Sequence, residues 1–367
     1  MRFFLFISIV QSILFLGHGF FYITLVRFLG LASSPRLPAL KVAVGLLSVS
    51  LVLTSFIAFR YSNFLVRCLY TAAASWLGIL YLLILASILC WIFYGVTKLF
   101  HLPLDRKLLI EVLIGVALLA SLGGIINSAA TRITRLSLRL PGLPSEWKGR
   151  TAVWVSDTHL GPVRNDGFAR HIAALVQNLH PDILFIGGDL FDGEAMDLDN
   201  AIEPFSRISS HYGIYFITGN HEEFTDNTRY LQAVRRNGMH VLYNEKVELD
   251  GLQILGVDYR DSIREDQFRG ILKKMGIDRS KPSILLKHSP LLLQVAREQG
   301  ISLQLSGHTH QGQVFLFRFI THRVYKGYDY GLKWFGNLLV YTSSGAGTWG
   351  PPMRLDTKPE IVAITFQ

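Results

Sequence analysis

Cysteine is nearly absent from this chain, with two in 367 residues, Cys68 and Cys90. Both fall in or beside one long apolar run, which excludes a disulfide framework and a thiolate zinc site from the second half of the sequence. That agrees with a reducing compartment without requiring one. Charge is scarce as well, at 17% Asp, Glu, Lys and Arg, and acidic residues almost vanish from positions 1–131, where Asp105 and Glu111 face nine Lys or Arg. Of the overall +9, that region holds +7 and residues 132–367 hold +2. The second part therefore has little basic excess, and no basic stripe with interleaved aromatics; a nucleic-acid partner is excluded on that ground. Internal repeats and low-complexity tracts are also missing.

Apolar sequence stands where charge does not. Between Arg2 and Arg27 lie 24 uncharged residues, between Lys41 and Arg60 there are 18, and between Arg67 and Lys98 there are 30; Leu108–Asn127 carries only Glu111. A bilayer crossing takes ~20 predominantly apolar residues. The pattern predicts an integral membrane domain over 1–131 with spans at about 3–26, 42–59, 69–97 and 108–127. The first run follows a basic residue, as a signal peptide does. It exceeds the ~7–15 residues of an h-region and has no small-x-small cleavage site after it, so it is expected to be retained. Gln11, His18 and Glu111 are the strongly polar residues within the runs, and interhelical hydrogen bonding or snorkelling accounts for them better than transport. Four spans put both ends on one side with Arg2, Arg60, Arg67, Arg132, Arg135 and Arg139, joined by Lys148 and Arg150. The opposite side has Arg27, Arg36, Lys41, Lys98, Arg106 and Lys107. The positive-inside rule leans toward a multi-pass protein of the cell (inner) membrane with its second half in the cytoplasm.

After the fourth run, "RITRLSLRL" (132–140) alternates like a half-buried strand, and the Pro-rich "PGLPSEWKG" ends it. Short apolar runs then alternate with helical stretches. "TAVWVSD", "PDILFIGGD", "YGIYFITGN", "QILGVD", "SILLKHS" and "SLQLSGH" each read as a strand that stops at a polar residue. "FARHIAALVQNL" and "YLQAVRRNG" have helical spacing, the second closing on a Gly suited to a C-terminal cap. The second half, 132–367, is therefore a layered α/β domain, a class in which ligands collect beyond the carboxyl ends of the strands.

Five strand ends carry donor atoms: Asp157 and His159, Asp189 and Asp192, Asn220 and His221, His288, and His308 with His310. Singly, an Asp after a strand caps a helix and a loop His is solvated. Five recurrences of the same mixture have no such explanation. Carboxylate with imidazole suits first-row divalent metals such as Mn²⁺, Fe²⁺ or Zn²⁺, whereas an all-oxygen set suits Mg²⁺ or Ca²⁺. Seven or eight donors exceed one such ion, and two ions about 3.5–4 Å apart, sharing a carboxylate, would use them. Glycines before Asp189, Asn220 and His308 allow conformations and close approaches that a Cβ would hinder.

The order D-x-H, G-D-x-x-D, G-N-H-E, a lone H and G-H-x-H resembles the calcineurin-like metallophosphoesterases over roughly residues 150–350. "SSGAGTWGPPMR" near the end is similar to the closing segment of membrane-anchored bacterial members of the YkuE and YaeI type. The resemblance implies a two-sheet β-sandwich flanked by α-helices and a phosphate-ester substrate. It implies that Asp157, His159 and His310 hold one metal and Asn220, His288 and His308 the second, with Asp189 bridging. His221 would stand close to the scissile phosphate outside the ligand set, and Asp192 would orient a ligand His. Glu222 would orient the neighbourhood, and Glu223 reads as solvated surface.

Two such cations activate water and neutralise phosphate oxygens, and His221 can protonate the leaving oxygen. The expected enzyme hydrolyses a phosphomonoester, phosphodiester or pyrophosphate, with a lipid-linked substrate favoured by the anchor. The alternative is a membrane protein or scaffold in which this domain is regulatory or non-catalytic. Aromatic-rich "VFLFRFI" (314–320) and "YDYGLKWF" (328–335) read as strands of the second sheet or as an apolar lid or membrane-facing edge. Oligomeric state leaves no mark on the sequence.

Overall fold

The computed structural model describes residues 2–192, 196–224 and 226–367. They form two compact units, one of Met1–Asn127 with Gly350–Leu355 and the other of Ser128–Trp349 with Asp356–Gln367.

The first unit is built from α1 (Arg2–Phe28), α2 (Leu37–Arg60), α3 (Phe64–Leu99) and α4 (Arg106–Ala129). Each is long and apolar enough to cross a membrane, over Phe4–Phe28, Leu37–Arg60, Phe64–Leu99 and Arg106–Ala129. The helices outrun the apolar runs because basic residues such as Arg27, Arg60 and Lys98 close their last turns, where a cation complements the helix dipole. Polar side chains inside the runs find partners on neighbouring helices. Gln11 Nε2 donates to the Ser48 carbonyl at 2.9 Å, and Trp76 Nε1 donates to His18 Nε2 at 2.9 Å. Glu111 lies 3.9 Å from Lys107 one turn away, and both are exposed. The remote segment Gly350–Leu355 joins this unit by backbone bonds. Arg354 N donates to the Gly124 carbonyl at 2.9 Å and Asn127 Nδ2 to the Arg354 carbonyl at 2.8 Å. Buried Met353 packs so closely on Gly124 that a Cβ there would sit 2.7 Å from its Cγ.

The second unit begins with β1 (Arg132–Leu138) and β2 (Thr151–Val155), then α5 (Asp166–Gln177), β3 (Ile183–Ile186), α6 (Leu198–Ser206), β4 (Ile214–Phe216), α7 (Asn220–Glu223), α8 (Thr228–Arg236) and β5 (His240–Val241). It continues with β6 (Glu245–Leu249), β7 (Leu252–Gly256), α9 (Tyr259–Ser262), α10 (Glu265–Lys274), β8 (Ser283–Leu286), α11 (Leu293–Glu298) and β9 (Leu303–Ser306). It closes with α12 (Phe317–Val324), β10 (Gly331–Phe335), β11 (Leu338–Thr342) and β12 (Glu360–Phe366). These strands make two six-stranded sheets, ordered β1-β12-β2-β3-β4-β5 and β10-β11-β9-β8-β7-β6. Strands β2 to β5 run parallel, as do β7, β8, β9 and β11, so the carboxyl ends within each set fall on one edge.

The parallel strands are buried on both faces, which explains their unbroken apolar runs. Trp154, Phe185 and Tyr215 of one sheet share a core with Ile284, Leu305 and Tyr341 of the other. The outer face of the first sheet packs on α5, α6 and α8, and that of the second on α10 and α11. The result is the two-sheet sandwich flanked by helices. One expectation fails: Phe317–Val324 is a helix and no sheet strand, because its side chains stay exposed and nothing selects a period of two. Gly331–Phe335 is a strand, at the edge of the second sheet.

Trp147 pins the sandwich at one end. It is fully buried, stacks on Tyr212 with ring centroids 4.5 Å apart, meets Phe366 edge-on at 5.8 Å and donates from Nε1 to the Leu249 carbonyl at 2.9 Å. Trp147→Ala is expected to destabilise this unit by about 3–5 kcal/mol, read as a lower denaturation midpoint in detergent.

Candidate metal centre

The site is assembled by loops that leave the carboxyl ends of β2, β3, β4, β8 and β9, and these bring the expected donors together. Asp157, His159 and His310 offer ligand atoms that all lie within 4.8 Å of one another, and so do Asp189, His288 and His308. A third group of that kind joins His159, Asp189 and His221, so Asp189 belongs to two of the three. Across the cluster His288 Nε2 is 3.3 Å from Asp189 Oδ2, and His310 Nε2 is 3.5 Å from Asp157 Oδ1. Asn220 opens α7, and its buried Oδ1 has no hydrogen-bond partner.

The backbone is bent to achieve this convergence. Asp157, His159, Asp189, His308 and His310 all adopt positive φ, between 48° and 69°. Asp and His tolerate the left-handed region better than branched residues do, yet each such residue still costs about 1–3 kcal/mol and persists only where its surroundings hold it. Backbone amides do the holding. His308 N donates to Asp157 Oδ1 at 2.9 Å, and His221 N donates to Asp189 Oδ1 at 2.8 Å. Glu222 braces the turn from beneath. Its Oε2 accepts from Asp189 N at 2.9 Å and Gly219 N at 2.8 Å, and its Oε1 accepts from Phe191 N at 3.1 Å. Glycine is required where strand-end loops touch: a Cβ on Gly219 would lie 2.2 Å from Asp189 Oδ1, and one on Gly307 would lie 2.3 Å from Asp157 Oδ2.

Burial sets the electrostatics. It raises the Asp157 carboxyl to about 6 and lowers His159 to about 4. It also lowers His308, with help from the His288 charge, to about 3. Burial opposes ionisation of Asp189 as well, but the surrounding His288, His221 and His159 outweigh it and hold that carboxyl well below its ordinary value. His288 is the converse: burial would lower it, and Asp189, Asp157 and the Gly187 carbonyl raise it to about 9. The Gly187 carbonyl accepts from His288 Nδ1 at 2.7 Å, which fixes the ring with Nε2 toward the carboxylates.

Such a donor set fits divalent cations. His159 Nε2 and His310 Nε2 stand 3.0 Å apart, as do His308 Nδ1 and His288 Nε2 at 3.2 Å, so imidazole nitrogens converge in pairs beside shared carboxylates. With neutral imidazoles a cation satisfies such lone pairs together, and the orphaned Asn220 Oδ1 is a further neutral oxygen ligand.

A family model described as calcineurin-like phosphoesterase matches residues 151–312. Over 282 residues, 74% of this chain and 75% of the other, the sequence is 34% identical to an uncharacterized metallophosphoesterase of Helicobacter pylori strain J99. The chain belongs to the calcineurin-like metallophosphoesterases. This metallophosphoesterase is accordingly a metal-dependent phosphoester hydrolase. It is also similar to the transmembrane protein with metallophosphoesterase domain of Bos taurus, 32% identical over 269 residues that cover 67% of this chain and 60% of that one. The metallophosphoesterase YkuE of Bacillus subtilis is 28% identical over 241 residues, 61% of this chain and 82% of that one.

The geometry of the metallophosphoesterase corrects two finer readings. Asp192 meets His221 and not one of the other histidines, with its Oδ1 3.2 Å from His221 Nδ1. Glu223 is not solvated, because the single turn of α7 carries it inward to accept from Asn227 Nδ2 at 2.7 Å and to pair with Arg260 at 3.3 Å. Sequence reasoning also passed over four rings. Tyr259 lies 5.8 Å from His288 and 5.6 Å from His308, and Tyr325 lies 6.1 Å from His308. Phe224 and Trp349 flank His221 at 4.8 and 6.0 Å. Tyr259 follows Asp258 at the end of β7, so the rule that flagged the other strand ends would have found it.

Gly307→Ala should displace Asp157 and lower divalent-metal affinity about 10–100-fold, measured by metal titration of the purified protein. Gly270→Ala, which meets nothing within 4 Å, should leave that affinity unchanged.

Proposed function

We propose that this enzyme is a membrane-anchored, two-metal phosphoesterase whose catalytic part is residues 132–367 and whose anchor is residues 1–131. The observation that carries the reading is the pair of donor triads, Asp157–His159–His310 and Asp189–His288–His308, with Asp189 shared toward His159 and His221. In this assignment the first triad holds one cation. His288, His308 and Asn220 would hold the second, with Asp189 placed to serve both. Bound cations of the Mn²⁺, Fe²⁺ or Zn²⁺ type would supply charge neutralisation of the phosphate and a lowered water pKa.

The chain's own groups do the rest. His221 donates a proton to the leaving oxygen. Burial would discharge it, but the Asp192 hydrogen bond and the charges of Asp189, Asp192 and Glu222 raise it to about 9 in the metal-free site and so favour the protonated ring. Asp192, bonded to Nδ1, fixes the ring so that Nε2 is the donating atom. Glu222, buried and raised to about 7 first by burial and then by Asp189, keeps the turn that presents both Asp189 and His221.

The substrate class is a phosphomonoester, phosphodiester or pyrophosphate, with a lipid-linked form favoured because confinement to a bilayer raises effective concentration. The basic-residue balance supports a cell (inner) membrane location with the catalytic part in the cytoplasm, and protease accessibility in sealed vesicles tests that orientation.

Turnover of bis-p-nitrophenyl phosphate with Mn²⁺ tests the chemistry. Asp189→Ala should abolish it, and wild-type turnover in that variant would refute the two-metal assignment. His221→Ala should lower kcat about 10²–10⁴-fold with metal content intact. Asp192→Asn keeps a side chain that can bond His221 but loses the charge. It should reduce kcat by a smaller factor than His221→Ala, and an equal loss would show that Asp192 does more than hold the ring.

A further inference from the structure

We propose that α12 is a membrane-docking helix that lays Phe319, Ile320 and Val324 into the headgroup region of an anionic bilayer. Helices of a folded domain normally gain their stability from one apolar face packed on the core. None of the eight residues Phe317–Val324 is buried. Phe319 is 62% exposed, Ile320 57% and Val324 58%. Phe317, Ile320 and Val324 recur at three and four residues and so form one stripe, and Phe319 meets Phe315 edge-on at 6.3 Å. An exposed apolar cluster of this kind marks an interaction surface.

Charge selects the occupant. Residues 311–328 contain Arg318, Arg323 and Lys326 and no Asp or Glu. Arg318 pairs with Asp356 at 2.8 Å, whereas Arg323 and Lys326 are exposed beside the apolar stripe. Aromatic and aliphatic side chains interleaved with free cations suit anionic headgroups over an acyl boundary better than they suit a neutral protein groove. The same chain has four helices able to cross a bilayer, so a lipid surface is always within reach.

The helix is tied to the metal centre through its own unit. It follows the loop of His308 and His310 directly, and Tyr325, one residue beyond it, faces the His308 ring. Thr309 Oγ1 donates to the Asp329 carbonyl at 2.6 Å, and the Asp329 carboxylate lies 2.9 Å from His322 Nδ1 of the helix. Docking of α12 therefore brings the loop of His308 and His310 to headgroup level, where the phosphate of an amphiphilic ester sits.

The inference rests on the proposed anchoring of α1 to α4 and is independent of catalysis. The test uses the full chain with Cys68→Ser and Cys90→Ala, a single Phe319→Cys label carrying an environment-sensitive fluorophore, and vesicles of phosphatidylcholine with phosphatidylglycerol. Ile320→Cys serves as a second labelled position, and Arg235→Cys on the exposed face of α8 is the reference. Docking predicts that doxyl lipids quench the labels at 319 and 320 while aqueous iodide does not, with the reverse at 235. It also predicts weaker lipid quenching in pure phosphatidylcholine. Labels at 319 and 320 as open to iodide as the label at 235 would overturn the proposal. So would labels shielded from iodide yet unreached by doxyl lipid, since a second copy of the chain would then cover the helix. Equal lipid quenching in both compositions would overturn the anionic headgroup as partner. A chain that fails to float with the vesicles would instead defeat the anchoring itself.

Discussion

Everything in the catalytic unit depends on holding ionisable side chains in a place without water. Asp157, Asp189 and His288 are essentially fully buried at the ends of parallel strands, where an unpaired charge is not tolerated. Amides of adjacent loops answer the carboxylates: His308 N meets Asp157 and His221 N meets Asp189. The sandwich supplies the rigidity that makes this possible, because the loops leave from two sheets sharing one core. Strain at five positive-φ positions is the local cost, and it falls on five of the candidate donor residues.

The surroundings of His221 follow the same logic. The Phe224 and Trp349 rings lie 4.8 and 6.0 Å from the imidazole, and Asp192 Oδ1 lies 3.2 Å from its Nδ1. Trp349 is itself fixed, since its N donates to Gln313 Oε1 at 3.0 Å and its carbonyl accepts from Gln313 Nε2 at 2.9 Å. The position of His221 in a single-turn helix, with Glu222 bonded back to Gly219, explains how consecutive residues reach Asp192, the backbone of the turn and Arg260 at once.

Much of this was legible in the residues alone. Parallel strands buried on both faces read as apolar runs, and the polar residues that stop them gave the donors of β2, β3, β4, β8 and β9. Helices α5 and α8 were legible from their periodicity, and Gly238 takes the left-handed cap with φ 75°. Other features had no periodic signal to read. Phe317–Val324 looks like a strand because aromatic content suits sheets, and only its lack of a buried face reveals the helix. The inward turn of Glu223 depends on one helical turn, too short to show a pattern. Positive φ at aspartate and histidine leaves no trace in composition, and neither does the partnership of Asp192 with His221.

The allegiance of Gly350–Leu355 was equally invisible, since a six-residue stretch with two prolines has no period. Its packing against the helices means that the polypeptide passes between the units at Asn127, again after Trp349 and once more after Leu355. A single cut in the first passage would leave the helices held to Gly350–Leu355 by non-covalent contacts alone. A soluble fragment started at Ser128 would carry Met353 and its neighbours stripped of the helices they pack on, which argues for studying the enzyme whole.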